Sequence, residues 1–166
     1  MTQNSKKDAI ILDIDNTIVY DTYNVHLPLN NPREEWDKFH ENKLYYIPEL
    51  FRINKYIQDL IQRFLYSFEE IPYVIFMTSR EDTAQGIIKY NTLRTIKDFF
   101  GELNITYELL MRNENDYRPS SEVKQDLLNK VLEKYNILFA MDDDETNIQM
   151  FNNNKITTLK VGGING

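Results

Sequence analysis

The run Ala9-Ile10-Ile11-Leu12-Asp13-Ile14 is short, apolar and β-branched, the pattern of a strand covered on both faces of a sheet. The pattern returns at Tyr73–Met77, Tyr107–Met111, Ile137–Met141 and Thr157–Val161. Between these runs the spacing becomes helical. Leu50, Ile53, Ile57, Leu60, Ile61 and Phe64 predict an amphipathic helix of about 15–18 residues. Asp82 or Thr83 is placed to cap a second helix running to Phe100, where Gly101 supplies the stop. Val123, Leu127, Leu128, Val131, Leu132 and Tyr135 mark a third, capped by Ser120 or Ser121 after Pro119, and a short fourth covers Thr146–Phe151. From Tyr20 to Ile47 periodicity is lost and Pro28, Pro32 and Pro48 punctuate a polar stretch. That stretch reads as a long functional loop or small cap over residues 20–47, with one helical turn near Pro32–His40.

Strands alternating with helices predict an α/β fold with a mainly parallel central sheet flanked by helices. At 166 residues the chain reads as one domain, 1–166, with the cap inserted after the first strand. Hydrophobic residues at 42% and charged residues at 27% are ordinary globular composition. The absence of cysteine removes disulfides, thiolate zinc sites and cysteine nucleophiles together. None of the five glycines is spaced for a Walker A loop or a dinucleotide fingerprint, and two histidines, His26 and His40, do not make an H-E-x-x-H zinc site. A net charge of −7 argues against a whole-surface grip on nucleic acid, while leaving room for a local basic groove. No signal-peptide pattern follows the polar first seven residues, and no apolar run approaches the roughly 20 residues that span a bilayer, so the expected location is the cytoplasm.

In open parallel sheets ligands bind beyond the carboxyl ends of the strands. Three predicted strands end in polar clusters: Asp13-x-Asp15-x-Thr17, Thr78-Ser79-Arg80 and Asp142-Asp143-Asp144. Asp13 and Asp15 share a face if the strand continues, and Asp142 with Asp143 brings four carboxylates to one point. Two unit charges about 4 Å apart repel by roughly 4 kcal/mol at an effective dielectric near 20, so such a cluster calls for a cation. All-oxygen ligands suit Mg²⁺, which keeps several waters and bridges to phosphate. Lys124 at the start of the third helix and the Thr78 hydroxyl complete a pocket for an anion. With no cysteine and no serine–histidine pair, the candidate nucleophile is a carboxylate.

These residues resemble the four ordered motifs of the haloacid dehalogenase (HAD) superfamily: Asp13-Ile14-Asp15-Asn16-Thr17, the strand into Thr78, Lys124, and Asp142-Asp143. Within it the chain is most similar to the 3′-phosphatase domain of phage-type polynucleotide kinase. That likeness rests on Met77-Thr78-Ser79-Arg80-Glu81, on Met111-Arg112 through Asp116-Tyr117-Arg118 to Val123-Lys124, and on Phe139-Ala140-Met141-Asp142-Asp143. The resemblance implies a Rossmann-like HAD fold and a Mg²⁺-dependent phosphomonoesterase acting through an aspartyl phosphate. It implies Asp13 as nucleophile, Asp15 as acid and base, and Thr78 and Lys124 on the phosphate oxygens. The metal would be held by Asp13, Asp15, Asp142 and Asp143. Thr17, Ser79, Arg80, Arg112 and Arg118 would bind substrate, the arginines as readers of a second phosphate.

The implied substrate is a phosphorylated nucleotide or nucleic acid 3′ end, with no membrane and no obligate protein partner. A phosphatase of a small metabolite or 5′-nucleotide is the alternative enzyme. A phospho-accepting module like a receiver domain is the alternative of another class. Trp36, Phe39, Tyr45 and Tyr46 are candidates for a base-stacking wall in the cap, against the plainer reading of local core, and His26 and His40 are bystanders.

Overall fold

A computed structural model describes residues 6–21, 51–83 and 85–162. Its central sheet has five strands: β1 (Lys7–Leu12), β4 (Tyr73–Asp82), β5 (Tyr107–Asn113), β6 (Tyr135–Asp142) and β7 (Thr158–Lys160). They lie in the order β5-β4-β1-β6-β7, every neighbouring pair parallel. A separate antiparallel pair, β2 (Val19–Asp21) and β3 (Phe51–Ile53), joins the two ends of the predicted cap. The cap between them, including Trp36, Phe39, Tyr45, Tyr46, both histidines and the turn expected at Pro32–His40, lies outside the described residues.

The alternation of side chains along β1 decides how the layers assemble. Ile10 and Leu12 face one way, with Val74, Phe76, Phe139 and Met141, and bury against Ile61 and Leu65 of α1 (Lys55–Leu65) and Ile96, Phe99 and Phe100 of α2 (Ile87–Phe100). Ala9 and Ile11 face the other way, with Ile75, Met77 and Ala140. They meet Val123, Leu127, Leu128 and Val131 of α3 (Ser120–Lys134) and Met150 and Phe151 of α4 (Glu145–Asn153). Burial on both faces is why these strands read as unbroken apolar runs. On the first face Phe76 meets Phe100 edge-on at 5.7 Å between ring centroids, an arrangement favoured by the ring quadrupoles.

Several element boundaries depart from the sequence expectation. β3 occupies Phe51–Ile53, so α1 begins at Lys55, where the Asn54 side chain accepts from the Ile57 N–H. β4 runs on to Asp82 because its register with β5 slips between Thr78 and Glu81 and pairing then resumes opposite Arg112 and Asn113. Asp82 therefore belongs to the strand, Thr83 does not cap, and α2 starts after Gly86, whose φ of 66° is left-handed and suits glycine. Pro119 is the cap residue of α3, and Ser120 and Ser121 are already helical. Finally, β1 ends at Leu12, so Asp13 sits just past the strand, its N–H donating to the Met141 carbonyl at 2.9 Å. That bond pins the tip of β1 to the tip of β6.

Candidate active site

The turn after β1 is wound around one carbonyl. Ile14 O accepts from the N–H groups of Thr17, Ile18 and Val19 at 3.1–3.3 Å, and Asn16 takes a left-handed φ of 58°, which its short polar side chain tolerates. The turn leaves Asp13 buried at the end of the central strand, between the tips of β4 and β6. Thr78, where the regular pairing of β4 with β5 breaks, and Asp142, the last residue of β6, are 1% exposed. Three strand ends thus deliver their polar residues to one place.

Lys124 reaches that place from α3. It is itself 1% exposed, and its Nζ donates to Asp13 Oδ1 at 2.6 Å and to Asp142 Oδ2 at 2.7 Å. The other oxygen of Asp142 accepts from the Asp144 N–H and from Asn147 Nδ2, both at 3.0 Å. Asn147, buried in the first turn of α4, is not among the residues that sequence reasoning singles out. Its only signal is a polar residue five positions after Asp142 on the buried side of a helix. Asp144 works differently from its neighbours: its carboxylate accepts from the Thr146 N–H at 2.7 Å and caps α4.

One carboxylate oxygen from each of Asp13, Asp142 and Asp143 lies within 4.8 Å of the others. Three carboxylates against one ammonium leave two negative charges, which fits a hard divalent cation with oxygen ligands. The electrostatics report the same crowding. Burial pushes the Asp13 carboxyl well above the usual range; Lys124 opposes the rise, and Asp142 and Asp143 add to it. Burial and then Asp142 raise Asp143 to about 6. Burial also works against the charge on Lys124, but Asp13 and Asp142 outweigh it and hold the ammonium charged.

The Asp15 carboxylate is not in this cluster. It is engaged by Arg80, whose Nη2 and Nε donate to its two oxygens at 2.7 and 3.0 Å. Thr78 Oγ1 accepts from the Arg80 N–H at 3.2 Å, and Ser79 Oγ shares a hydrogen bond with Ser120 Oγ at the start of α3. Thr17 is fully buried, and its hydroxyl has no partner among the described residues. Arg112 and Arg118 have protein partners in this structure. Arg112 donates to the carbonyls of Ser79, Asp116 and Arg118 at 3.0, 2.6 and 2.6 Å, tying the loop after β5 to the tip of β4. Arg118 bridges Asp116 and Asp126 at the surface.

A Rossmann-like sheet with acidic residues and a buried lysine at its carboxyl edge is an arrangement that phosphatases of the HAD type share, and the family match places the chain among them. Residues 7–164 match the family described as the polynucleotide kinase PNKP phosphatase domain, and the chain belongs to that family. Two solved structures share its fold. One, of a Pnkp1/Rnl/Hen1 RNA repair complex, has 20% sequence identity and a TM-score of 0.68 over 100% of this chain and 46% of that one. The other, of a Pnkp1/Rnl/Hen1 complex, has 19% identity and a TM-score of 0.67 over 100% of this chain and 49% of that one. The chain thus spans about half the length of the chains it resembles. No curated protein sequence matches it. Among the described residues no helix is long and apolar enough to cross a membrane.

Proposed function

We propose that the protein hydrolyses phosphate monoesters at nucleic acid 3′ ends or on nucleotides, through a phosphorylated Asp13. The observation that carries this reading is the meeting of Asp13, Asp142, Asp143 and Lys124 at the tips of β1 and β6. A carboxylate oxygen of Asp13 attacks phosphorus, the bond to the ester oxygen breaks, and Asp15 gives its proton to that departing oxygen. Asp15 then takes a proton from water as the water oxygen attacks phosphorus, freeing inorganic phosphate and restoring Asp13.

Lys124 holds one oxygen of Asp13 and so fixes the rotation of the carboxylate that attacks. The ammonium and the Thr78 hydroxyl also face charge that grows on the phosphoryl oxygens. Asp13, Asp142 and Asp143, with Asp15 through its main-chain carbonyl, would hold Mg²⁺, which supplies charge neutralisation for the entering anion. Ser79 and the Arg112–Arg118 loop are the remaining groups that would meet substrate, whereas Thr17 is fully buried.

The family supports the nucleic acid 3′ end as substrate. One observation favours a smaller substrate: Arg112 and Arg118 direct their donors to their own loop and to Asp126. A Mg²⁺-dependent phosphate-release comparison of 3′-phosphorylated oligonucleotides, 3′- and 5′-mononucleotides and sugar phosphates decides between them. The oligonucleotide is expected to be the best substrate, and equal rates on all would retire the nucleic acid reading. Asp13→Asn is expected to abolish release from every one; retained release would remove the aspartyl phosphate.

A further inference from the structure

Sequence groups Arg80, Arg112 and Arg118 as readers of substrate phosphate, yet all three guanidiniums are engaged by the protein. Arg80 is 3% exposed and grips both oxygens of Asp15. Arg112 and Arg118 instead build a loop. Nη1 of Arg112 donates to the carbonyls of Asp116 and Arg118, and its Nε donates to the Ser79 carbonyl on β4. The Asp116 N–H closes a turn on the Asn113 carbonyl at 3.2 Å, with Asn115 at a left-handed φ of 64°. Arg118 donates from Nε and Nη2 to the two oxygens of Asp116 at 2.9 and 2.7 Å.

These bonds pin the residues on either side of Tyr117, which itself stands 70% exposed. The Tyr117 hydroxyl donates to Asn115 Oδ1 at 3.3 Å, which steadies the far end of the ring. A rigid backbone thus presents one flat aromatic face, and a tyrosine has only two side-chain torsions to order when something lies on it. The loop is tied at one end to Ser79, the residue after Thr78, and runs at the other into Ser120, one helical turn before Lys124. The Ser79 and Ser120 hydroxyls are hydrogen-bonded to each other, closing that border. Asp116 and Asp126 match the charge of Arg118, so what the loop offers is a ring and not a cationic grip. Every nucleobase has a π-face that such a ring can hold.

We propose that Tyr117 is a specificity-determining residue that stacks on the base of the nucleotide carrying the 3′ phosphate. The proposal rests on the reaction above and deepens it, because it makes a base-bearing end the preferred substrate. Engaged arginines remove phosphate reading from this loop without removing recognition of a nucleotide.

The test compares wild type, Tyr117→Ala and Tyr117→Phe in Mg²⁺ on three substrates. These are a 3′-phosphorylated oligonucleotide, the same oligonucleotide with the base of its last nucleotide removed, and a sugar phosphate. On the intact end Tyr117→Ala is expected to raise KM about 10-fold with kcat unchanged, the order of effect of one lost base stack. Tyr117→Phe keeps the ring and should stay within about 2-fold of wild type. Removing the base should raise the wild-type KM by a similar factor, and Tyr117→Ala should then add nothing, since ring and base act only as a pair. Turnover of the sugar phosphate should not change. The penalty should be the same at about 50 and about 200 mM salt, whereas a lost phosphate contact would shrink as salt rises.

An equal KM penalty on intact and base-free ends would overturn the stacking, as would an unaltered KM on the intact end or a loss of kcat on the sugar phosphate. Each of these leaves the phosphatase reaction in place. A wild type that releases phosphate from none of the three would overturn the reaction itself, and the proposal with it.

Discussion

Replacing Asp143 by Asn removes one of the three carboxylates crowded beside β6 and should make the metal-free protein more stable, by an amount that grows from about pH 4 and is complete above about pH 6. The folded protein holds Asp143's proton up to about 6, against an ordinary value of 3.8, chiefly because of burial and then Asp142. Well below pH 4 the group is protonated both folded and unfolded and costs nothing. As the pH rises from about 4 to about 6 the unfolded chain gives up this proton before the folded state does, and stability falls until both have lost it. At about 1.4 kcal/mol per tenfold change in proton affinity the full gap is about 3 kcal/mol; partial exposure of Asp143 screens it to about 2 kcal/mol. In a chain of this size that is a melting shift of about 4–8 °C.

The assay is thermal melting of wild type and Asp143→Asn in chelator at pH 4.5 and pH 7.5. The variant should melt higher at pH 7.5 and by only about a third of that difference at pH 4.5. Asp13 also binds its proton more tightly in the fold, but that contribution is common to both proteins and largely cancels. Saturating Mg²⁺ should reverse the order at pH 7.5, since a ligand at 100 times its Kd stabilises the form that binds it by about 2.7 kcal/mol. The same difference at both pH values, or a wild type indifferent to Mg²⁺, would refute the account of this site as a crowded set of carboxylates awaiting a cation.

Lys124→Met leaves Asp13 and Asp142 facing each other without their shared ammonium; a loss of about 3–5 kcal/mol in urea unfolding without metal is expected, together with loss of phosphate release. Asp144→Ala removes the α4 cap and should cost about 1 kcal/mol in the same unfolding experiment, with turnover nearly unchanged. Arg112→Ala frees one carbonyl of β4 and two of the loop after β5 and should lower stability by about 2 kcal/mol; a raised KM for nucleotide substrates would additionally place its loop at the substrate.

The layers are legible in the sequence because burial on both faces writes itself into a strand as an unbroken apolar run. Asp13, Thr78 and Asp142 can be grouped from sequence because each closes such a run, and a parallel sheet puts those ends together. Lys124 carries a weaker signal, a cation near a helix start, where the dipole disfavours it. Arg80 falls in with the surface arginines because no local pattern reveals that a charged side chain turns inward. Its partners Asp15 and Thr92 lie on other elements. Thr92 itself reads as an ordinary helical position. The β2–β3 pair escapes because three-residue strands carry too little alternation to show a period. The slip in β4 that displaces the start of α2 depends on its partner β5, which no window along β4 contains.

The position of β1 in the middle of the sheet also sets an order of events during synthesis. Its two neighbours are β4 and β6, so the strand that leads to Asp13 is made before either of them and finds its second partner only when residues 135–142 have followed. Until then an apolar strand stands with an unpaired edge, open to other nascent chains. Burial of the Asp13 carboxylate is thereby coupled to synthesis of the chain through β6, and a chain cut short before β6 should be found in aggregates and not as a slow enzyme.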